Sequence, residues 1–208
     1  MTEKEYIINS STPQGSALDW LERQTHLRTN HARMLSGVEV GGLLRFICDM
    51  IKPSNVLELG VFTGYSSICI AQGLREGGLI DAIEINDELE ELILEAYSRA
   101  GVDSKITLHF GDAKEIIPTL TPIYDMVYID ANKREYVDYY NLIIDRVRSG
   151  GYIIADNVLW DGKVLADIPS QDAQTQGLLA FNRLVASDHR VENIILPIRD
   201  GINLIRKR

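Results

Sequence analysis

From about residue 55 onward, short apolar runs alternate with longer stretches in which apolar positions recur every three or four residues. Asn55 to Leu59, Leu79 to Glu84, Lys105 to His109, Tyr124 to Ile129 and Tyr152 to Ala155 read as strands, largely apolar as strands covered on both faces are. Ser66 to Leu74, Asp87 to Ala100, Ala113 to Leu120 and Glu135 to Arg146 carry helical spacing between them. Strand alternating with helix predicts a parallel α/β sheet. The C-terminal end breaks the pattern. Val191 to Ile198 and Ile202 to Ile205 are apolar runs with Arg199, Asp200 and Gly201 between them, and Asp-Gly predicts a tight hairpin there. The expected fold is therefore a doubly wound, Rossmann-like α/β sheet of seven strands, mostly parallel, ending in an antiparallel hairpin and carrying helices on both faces. Such an ending differs from a dehydrogenase sheet, which continues parallel. Ala17 to Thr29 and Val40 to Met50 read as helices ahead of the sheet, so residues 1–50 are expected to form a helical cap on a core spanning 55–208, all in one domain.

Composition narrows the function. With 208 residues, 45% of them hydrophobic and 25% charged, the chain can bury one good-sized core. A net charge of -9 and a pI near 4.9 give no general attraction to nucleic acid or anionic lipid. The first residues, MTEKEYIINSSTPQGS, carry no basic stretch followed by an apolar one, and no run of about 18 apolar residues occurs, so the expected compartment is the cytoplasm, with no membrane contact. Cys48 and Cys69, each in an apolar helical setting, read as reduced core thiols.

Three acidic residues follow three successive strands. VLELGVFTGYS, from Val56 to Ser66, is a strand with an acid near its end, then two glycines bracketing a turn into a helix. Gly60 and Gly64 would allow close approach of the backbone to a ligand, but their spacing is not the GxGxxG of dinucleotide folds. An acid in this strand suits a cationic ligand, and S-adenosylmethionine carries both a sulfonium and an ammonium, which makes Glu58 the candidate for its amino-acid end. Glu84, about 20 residues further on, is placed to accept ribose hydroxyls, and Asp112 in HFGDA, beside Ala113, to meet the adenine amino group. Singly, Glu84 or Asp112 could equally be a helix N-cap.

The fourth and fifth strands end in YIDANK and IIADN, which puts Asp130, Asp156 and Asn157 on one rim. Two carboxylates and an amide are a hard oxygen set, suited to Mg²⁺, Mn²⁺ or Ca²⁺ and unsuited to zinc. An Asp-Asn pair after a strand also caps its own turn by Asx bonding. Lys133 follows Asp130 by three residues, so it could return its ammonium to the rim or simply open a helix into solvent. Trp160, with the loop Asp161 to Gln176, reads either as a substrate wall or as core packing.

LELGVFTGYS, AIEIN, GDA, YIDANK, ADNVLWDGKV and LPIRDGINLIRK, in this order and spacing from Met34 to the end, resemble the cation-dependent O-methyltransferases, the family of caffeoyl-CoA and catechol O-methyltransferases and their bacterial relatives. The resemblance implies a class I methyltransferase fold and S-adenosylmethionine contacts from Ser36, Glu58, Gly60, Val61, Ser66, Glu84, Asp112, Ala113 and Asp130. It implies Asp130, Asp156 and Asn157 as ligands of a divalent cation, Mg²⁺ first, and Lys133 as the catalytic base. It implies a homodimer acting on a small phenolic or catechol-like hydroxyl. Caffeoyl-CoA enzymes typically carry a second acid where this chain has Asn132, a departure that weakens the expectation of a caffeoyl-CoA-like substrate. The alternatives are a tRNA hydroxyuridine O-methyltransferase and a non-catalytic S-adenosylmethionine-binding module.

Overall fold

The computed structural model describes residues 1–166 and 172–208. Two helices absent from the sequence reading frame the chain: α1 (Glu3–Ser10), opened by a Thr2 capping box, and α8 (Ala173–Ser187), opened by the Asp172 side chain. Between them lie α2 (Ser16–Arg28), α3 (Gly37–Ile51), β1 (Asn55–Leu59), α4 (Tyr65–Gly73), β2 (Leu79–Glu84), α5 (Glu90–Ala100), β3 (Ile106–Phe110), α6 (Ala113–Ile116), β4 (Tyr124–Ile129), α7 (Tyr136–Ile143) and β5 (Val147–Ala155); β6 (Val191–Leu196) and β7 (Ile202–Lys207) follow α8. The strands form a seven-stranded sheet in the order β3-β2-β1-β4-β5-β7-β6. Strands β1 to β5 pair in parallel, while β7 runs antiparallel to both β5 and β6. The expected fold class is borne out.

The β-strand period of two sends alternate side chains to opposite faces, and the core divides accordingly. Met126 and Tyr128 of β4 join Leu18, Leu44, Ile68 and Ile93 on one side, whereas Val127 and Ile129 join Tyr136, Ile143, Leu178 and Phe181 on the other. Cys48 and Cys69 are buried free thiols, as expected. Among the described residues no helix is long and apolar enough to cross a membrane.

Several boundaries move for local reasons. β5 starts at Val147 rather than Tyr152: its ladder with β4 pairs Tyr124 with Val147 and next Met126 with Tyr152, and this register shift takes Gly150 and Gly151 into the strand. β6 stops at Leu196, since Pro197 has no N–H to give the ladder. Leu196 pairs with Ile202, so residues 197–201 make the connection, wider than the two-residue turn that Asp-Gly signals. The segment read as the loop Asp161 to Gln176 divides: Trp160–Leu165 forms 3-10 turns broken by a kink at Asp161 (φ 52°) and Gly162 (φ 74°), residues 167–171 lie outside the described residues, and Ala173 to Gln176 is the first turn of α8. Gly177 hid that helix. A Cβ there would sit on the Lys133 carbonyl oxygen, so a residue that weakens a helical pattern is what lets α8 press against the Lys133 turn.

Candidate active site

The order of the sheet reverses between β1 and β4, the switch point beside which ligands bind in open α/β sheets. A cavity of about 1260 Å³ opens there along the carboxyl ends of the strands. Ser36, Gly60, Val61, Ser66, Glu84, Asp112, Ala113, Asp130, Lys133, Asp156, Asn157 and Trp160 all line it. Glu58 does not. Its side chain is fully buried behind the wall and its two oxygens accept the hydroxyls of Ser66 and Ser67, so Ser66 is what faces the cavity and the direct contact expected of Glu58 is absent in this geometry. Burial pushes the Glu58 carboxyl up to about 7; the serine hydrogen bonds pull the other way, and Asp130 and Glu84 add to the rise.

The glycines of the β1–α4 turn are dictated by protein packing. A Cβ on Gly60, at φ 88°, would strike the Asp130 carbonyl, and one on Gly64 would lie 2.8 Å from the Tyr97 ring. Thus Gly60 is what allows the ends of β1 and β4 to meet, and Asp130 N donates to Leu59 O at 2.8 Å there. Glu84 holds the turn from the other side. Its Oε2 accepts from the amides of Val61 (3.0 Å) and Phe62 (2.7 Å), and its Oε1 from those of Ile85 and Asn86 (2.9 Å each), so the residue expected to meet ribose also organises the loop. Asp112 combines both of its readings: it lines the cavity, and its Oδ1 caps α6 by accepting from Lys114 N at 2.8 Å.

On the other half of the rim, Lys133 returns to Asp130, with Nζ to Oδ1 at 2.7 Å. Asp156 is buried, and three partners fix it: the Tyr128 hydroxyl donates to its Oδ2 at 3.0 Å, the Asn157 amide to its Oδ1 at 2.7 Å, and the Tyr136 hydroxyl to its carbonyl at 3.0 Å. Burial, then the charge of Asp130, pushes the Asp156 carboxyl above the ordinary carboxylate range. A like-charged pair of carboxylates beside an amide suits a hard dication, which would neutralise both. No three His, Cys, Asp or Glu side chains gather into a metal-binding group among the described residues, so the amide of Asn157 would be needed for a third protein donor.

Backbone strain concentrates here. Phe62, Asn157, Trp160, Asp161 and Arg199 line the cavity with φ between 48° and 59°, or 47° for Trp160; Lys52 is the remaining non-glycine residue of positive φ among those described. Such conformations persist where the surroundings over-determine them, and they cluster at ligand sites. Trp160 is half-buried on the cavity wall with its Nε1 unpartnered among the described residues. Ser67, Tyr128, Tyr136 and Arg199 were missed by sequence reading. The alternation in YDMVYID could have found Tyr128, one position before the strand end that carries Asp130, on the face opposite Ile129.

The geometry has counterparts among known proteins. A family described as O-methyltransferase matches residues 8–208. Caffeoyl-CoA O-methyltransferase 5 of Nicotiana tabacum is 35% identical over 185 residues, covering 84% of this chain and 77% of the relative. Among solved structures, the SAM complex of the O-methyltransferase TomG from Streptomyces achromogenes aligns at a TM-score of 0.90 and 28% identity, covering 100% of this chain and 99% of that one. The SAH-bound methyltransferase PaMTH1 of Podospora anserina aligns at 0.89 and 26%, covering 99% and 93%. On its sequence, its sheet topology and the cavity at its switch point, the chain belongs to the O-methyltransferase family and is an S-adenosylmethionine-dependent enzyme.

Proposed function

We propose that this enzyme transfers the methyl group of S-adenosylmethionine to a hydroxyl of a small catechol-like or phenolic acceptor, with the help of a divalent cation. The observation that carries this reading is that Asp130, Lys133, Asp156 and Asn157 open onto the same cavity as Ser36, Gly60, Ser66, Glu84, Asp112 and Ala113. In this reading the second group receives S-adenosylmethionine, with Glu58 acting through Ser66, and Asp130 serves both groups. Asp130, Asp156 and Asn157 would hold the cation, Mg²⁺ first and Mn²⁺ or Ca²⁺ as alternatives. When bound, the cation favours the ionised form of a coordinated hydroxyl and helps orient it.

The chain's own residues supply the remainder. The acceptor oxygen must lose its proton and form a bond to the methyl carbon as the carbon–sulfur bond breaks. Lys133, once neutral, can take that proton at Nζ, and its pairing with Asp130 keeps the amine at the wall. Tyr128 and Tyr136 hold Asp156 in place. The wall at Trp160 gives a planar apolar surface for an aromatic ring, and holding the two reactants in line accounts for a large part of the rate, about 7–11 kcal/mol for well-oriented pairs.

The test is radiolabelled methyl transfer to a panel of catechols and monophenols, with and without Mg²⁺, beside a bulk tRNA arm. Labelling of the catechols that requires the cation is the expected result; labelling of tRNA alone would overturn the acceptor class. Cytoplasmic location and a homodimer belong to the same reading. The exposed Phe46 and Met50 on α3 support the dimer, and a monomeric mass in sedimentation at micromolar concentration would contradict it.

A further inference from the structure

We infer that Arg199 is a positioning residue that fastens the cofactor mouth of the cavity to its acceptor side. The inference rests on the reading of Ser36 as part of the cofactor site. Arg199 occupies the β6–β7 connection at φ 48°, and the turn is closed by Gly201 N donating to Ile198 O at 2.9 Å. From this tip the guanidinium Nη1 donates to the Leu35 carbonyl at 3.0 Å and also to the Ser36 carbonyl. Those two residues end the crossing from α2 to α3, where Gly37 follows at φ 72°, its missing Cβ 3.5 Å from Nη1. The segment lies 163–164 residues away in sequence, and it lines the cavity with Ser36.

The same turn grips the acceptor side through its backbone. Asp200 O accepts from Leu159 N at 2.9 Å, and Gly201 O from Val158 N at 3.0 Å. The Asp200 carboxylate accepts from Asp161 N. One tip of five residues therefore ties down both the segment bearing Ser36 and the segment running from Asn157 to Asp161. Its left-handed Arg199, like those of Asn157, Trp160 and Asp161, marks backbone that the surroundings hold in a sparsely populated conformation. The guanidinium is the only side-chain link from this tip to the Leu35–Ser36 carbonyls among the described residues, so its removal frees that flap while leaving the Asp200 and Gly201 bonds in place.

The experiment is calorimetry of S-adenosylhomocysteine binding to the wild type and to four variants, with thermal melts alongside. Arg199→Ala and Arg199→Met should each weaken binding about tenfold, the loss expected for hydrogen bonds from a charged donor. Arg199→Lys keeps a cationic donor and should recover most of the affinity, which a role in packing alone would not give, because Met preserves the apolar stem equally well. Asp200→Ala releases Asp161 rather than Ser36 and should leave the affinity within threefold. Affinity in Arg199→Ala or Arg199→Met within threefold of wild type would overturn the inference, as would a Lys variant no better than Met. If Arg199→Ala fails to fold, the Lys and Met pair carries the comparison. A wild type that binds no S-adenosylhomocysteine would instead overturn the cofactor reading itself, and this inference with it.

Discussion

The Lys133 ammonium lies 2.7 Å from Asp130 Oδ1 and about 6 Å from the rings of both Tyr136 and Trp160, at 5.6 Å and 6.0 Å respectively. With 12% of its side chain exposed, it is held at the cavity wall instead of trailing in solvent from the start of a helix. If it takes the acceptor's proton, Lys133→Ala lowers kcat by about 10²–10⁴-fold, the usual contribution of a positioned base. The substitution also leaves the largely buried Asp130 without its cation, so stability should fall by up to about 3–5 kcal/mol, and kcat is compared at a temperature where thermal melts show the variant folded. Raising the pH should restore part of the lost rate, because solution then ionises the hydroxyl. A variant within threefold of wild type at neutral pH, with chemistry shown to be rate-limiting, would leave Lys133 without a base role.

Asp156 and the cofactor residues sit on separate parts of the rim, and only Asp130 belongs to both proposed sets. Asp156→Ala should therefore abolish turnover while S-adenosylhomocysteine affinity stays within about threefold of wild type, and a chelator should reproduce the loss in the unmodified enzyme. Calorimetry and radiolabelled methyl transfer give the two readouts. Full activity in both the variant and the chelated enzyme would remove the metal from the mechanism.

Gly60→Ala tests the meeting of β1 and β4 directly. The new methyl would collide with the Asp130 carbonyl and would sit on a residue at φ 88°. Overpacking and left-handed strain together should cost about 3 kcal/mol or more, a fall in Tm of roughly 6 °C or more for a chain of this size. An unchanged melting curve would mean that the turn relaxes freely and that Gly60 does not set the position of Asp130.

The sheet was legible because its signals are local. β1, β2 and β4 are short apolar runs bounded by turns, and each of their boundaries matches the structure. The acids that end strands were legible for the same reason, since a parallel sheet brings all its carboxyl ends to one rim. What escaped depends on distant partners. Gly177 weakens the helical pattern of α8 because it answers to the backbone of Lys133, and Arg199 reads as an ordinary turn cation until its bonds to Leu35 and Ser36 are seen. Glu58 was read as an acid facing a cationic ligand, but the serines that take up both of its oxygens, eight and nine positions later, turn it inward and leave Ser66 to line the cavity.

That inward turn makes Glu58 the residue whose proton should be measurable in folding. Burial holds its carboxyl near 7 in the native protein, against an ordinary value of 4.5. Between those values the native state binds a proton that the unfolded chain has released, so stability falls as pH rises. The stabilising contribution of the bound proton is fully present below about 4.5 and is lost as pH passes 7. For a shift of this size the loss approaches about 3 kcal/mol, taking 1.36 kcal/mol for each pH unit. Glu58→Gln removes the titration while keeping an amide that can accept from one serine and donate to the other, whose hydroxyl can turn to receive it. Urea unfolding of both proteins at pH 5 and pH 8 isolates the effect, because every other titrating group, Asp156 included, contributes alike to the two chains and cancels in their difference. The wild type should lose stability relative to Glu58→Gln over this interval. Parallel pH dependences would show that Glu58 is ionised in the native protein throughout, with the serine hydroxyls compensating its burial, and that the wall behind Ser66 carries a permanent negative charge toward the cofactor's cationic end.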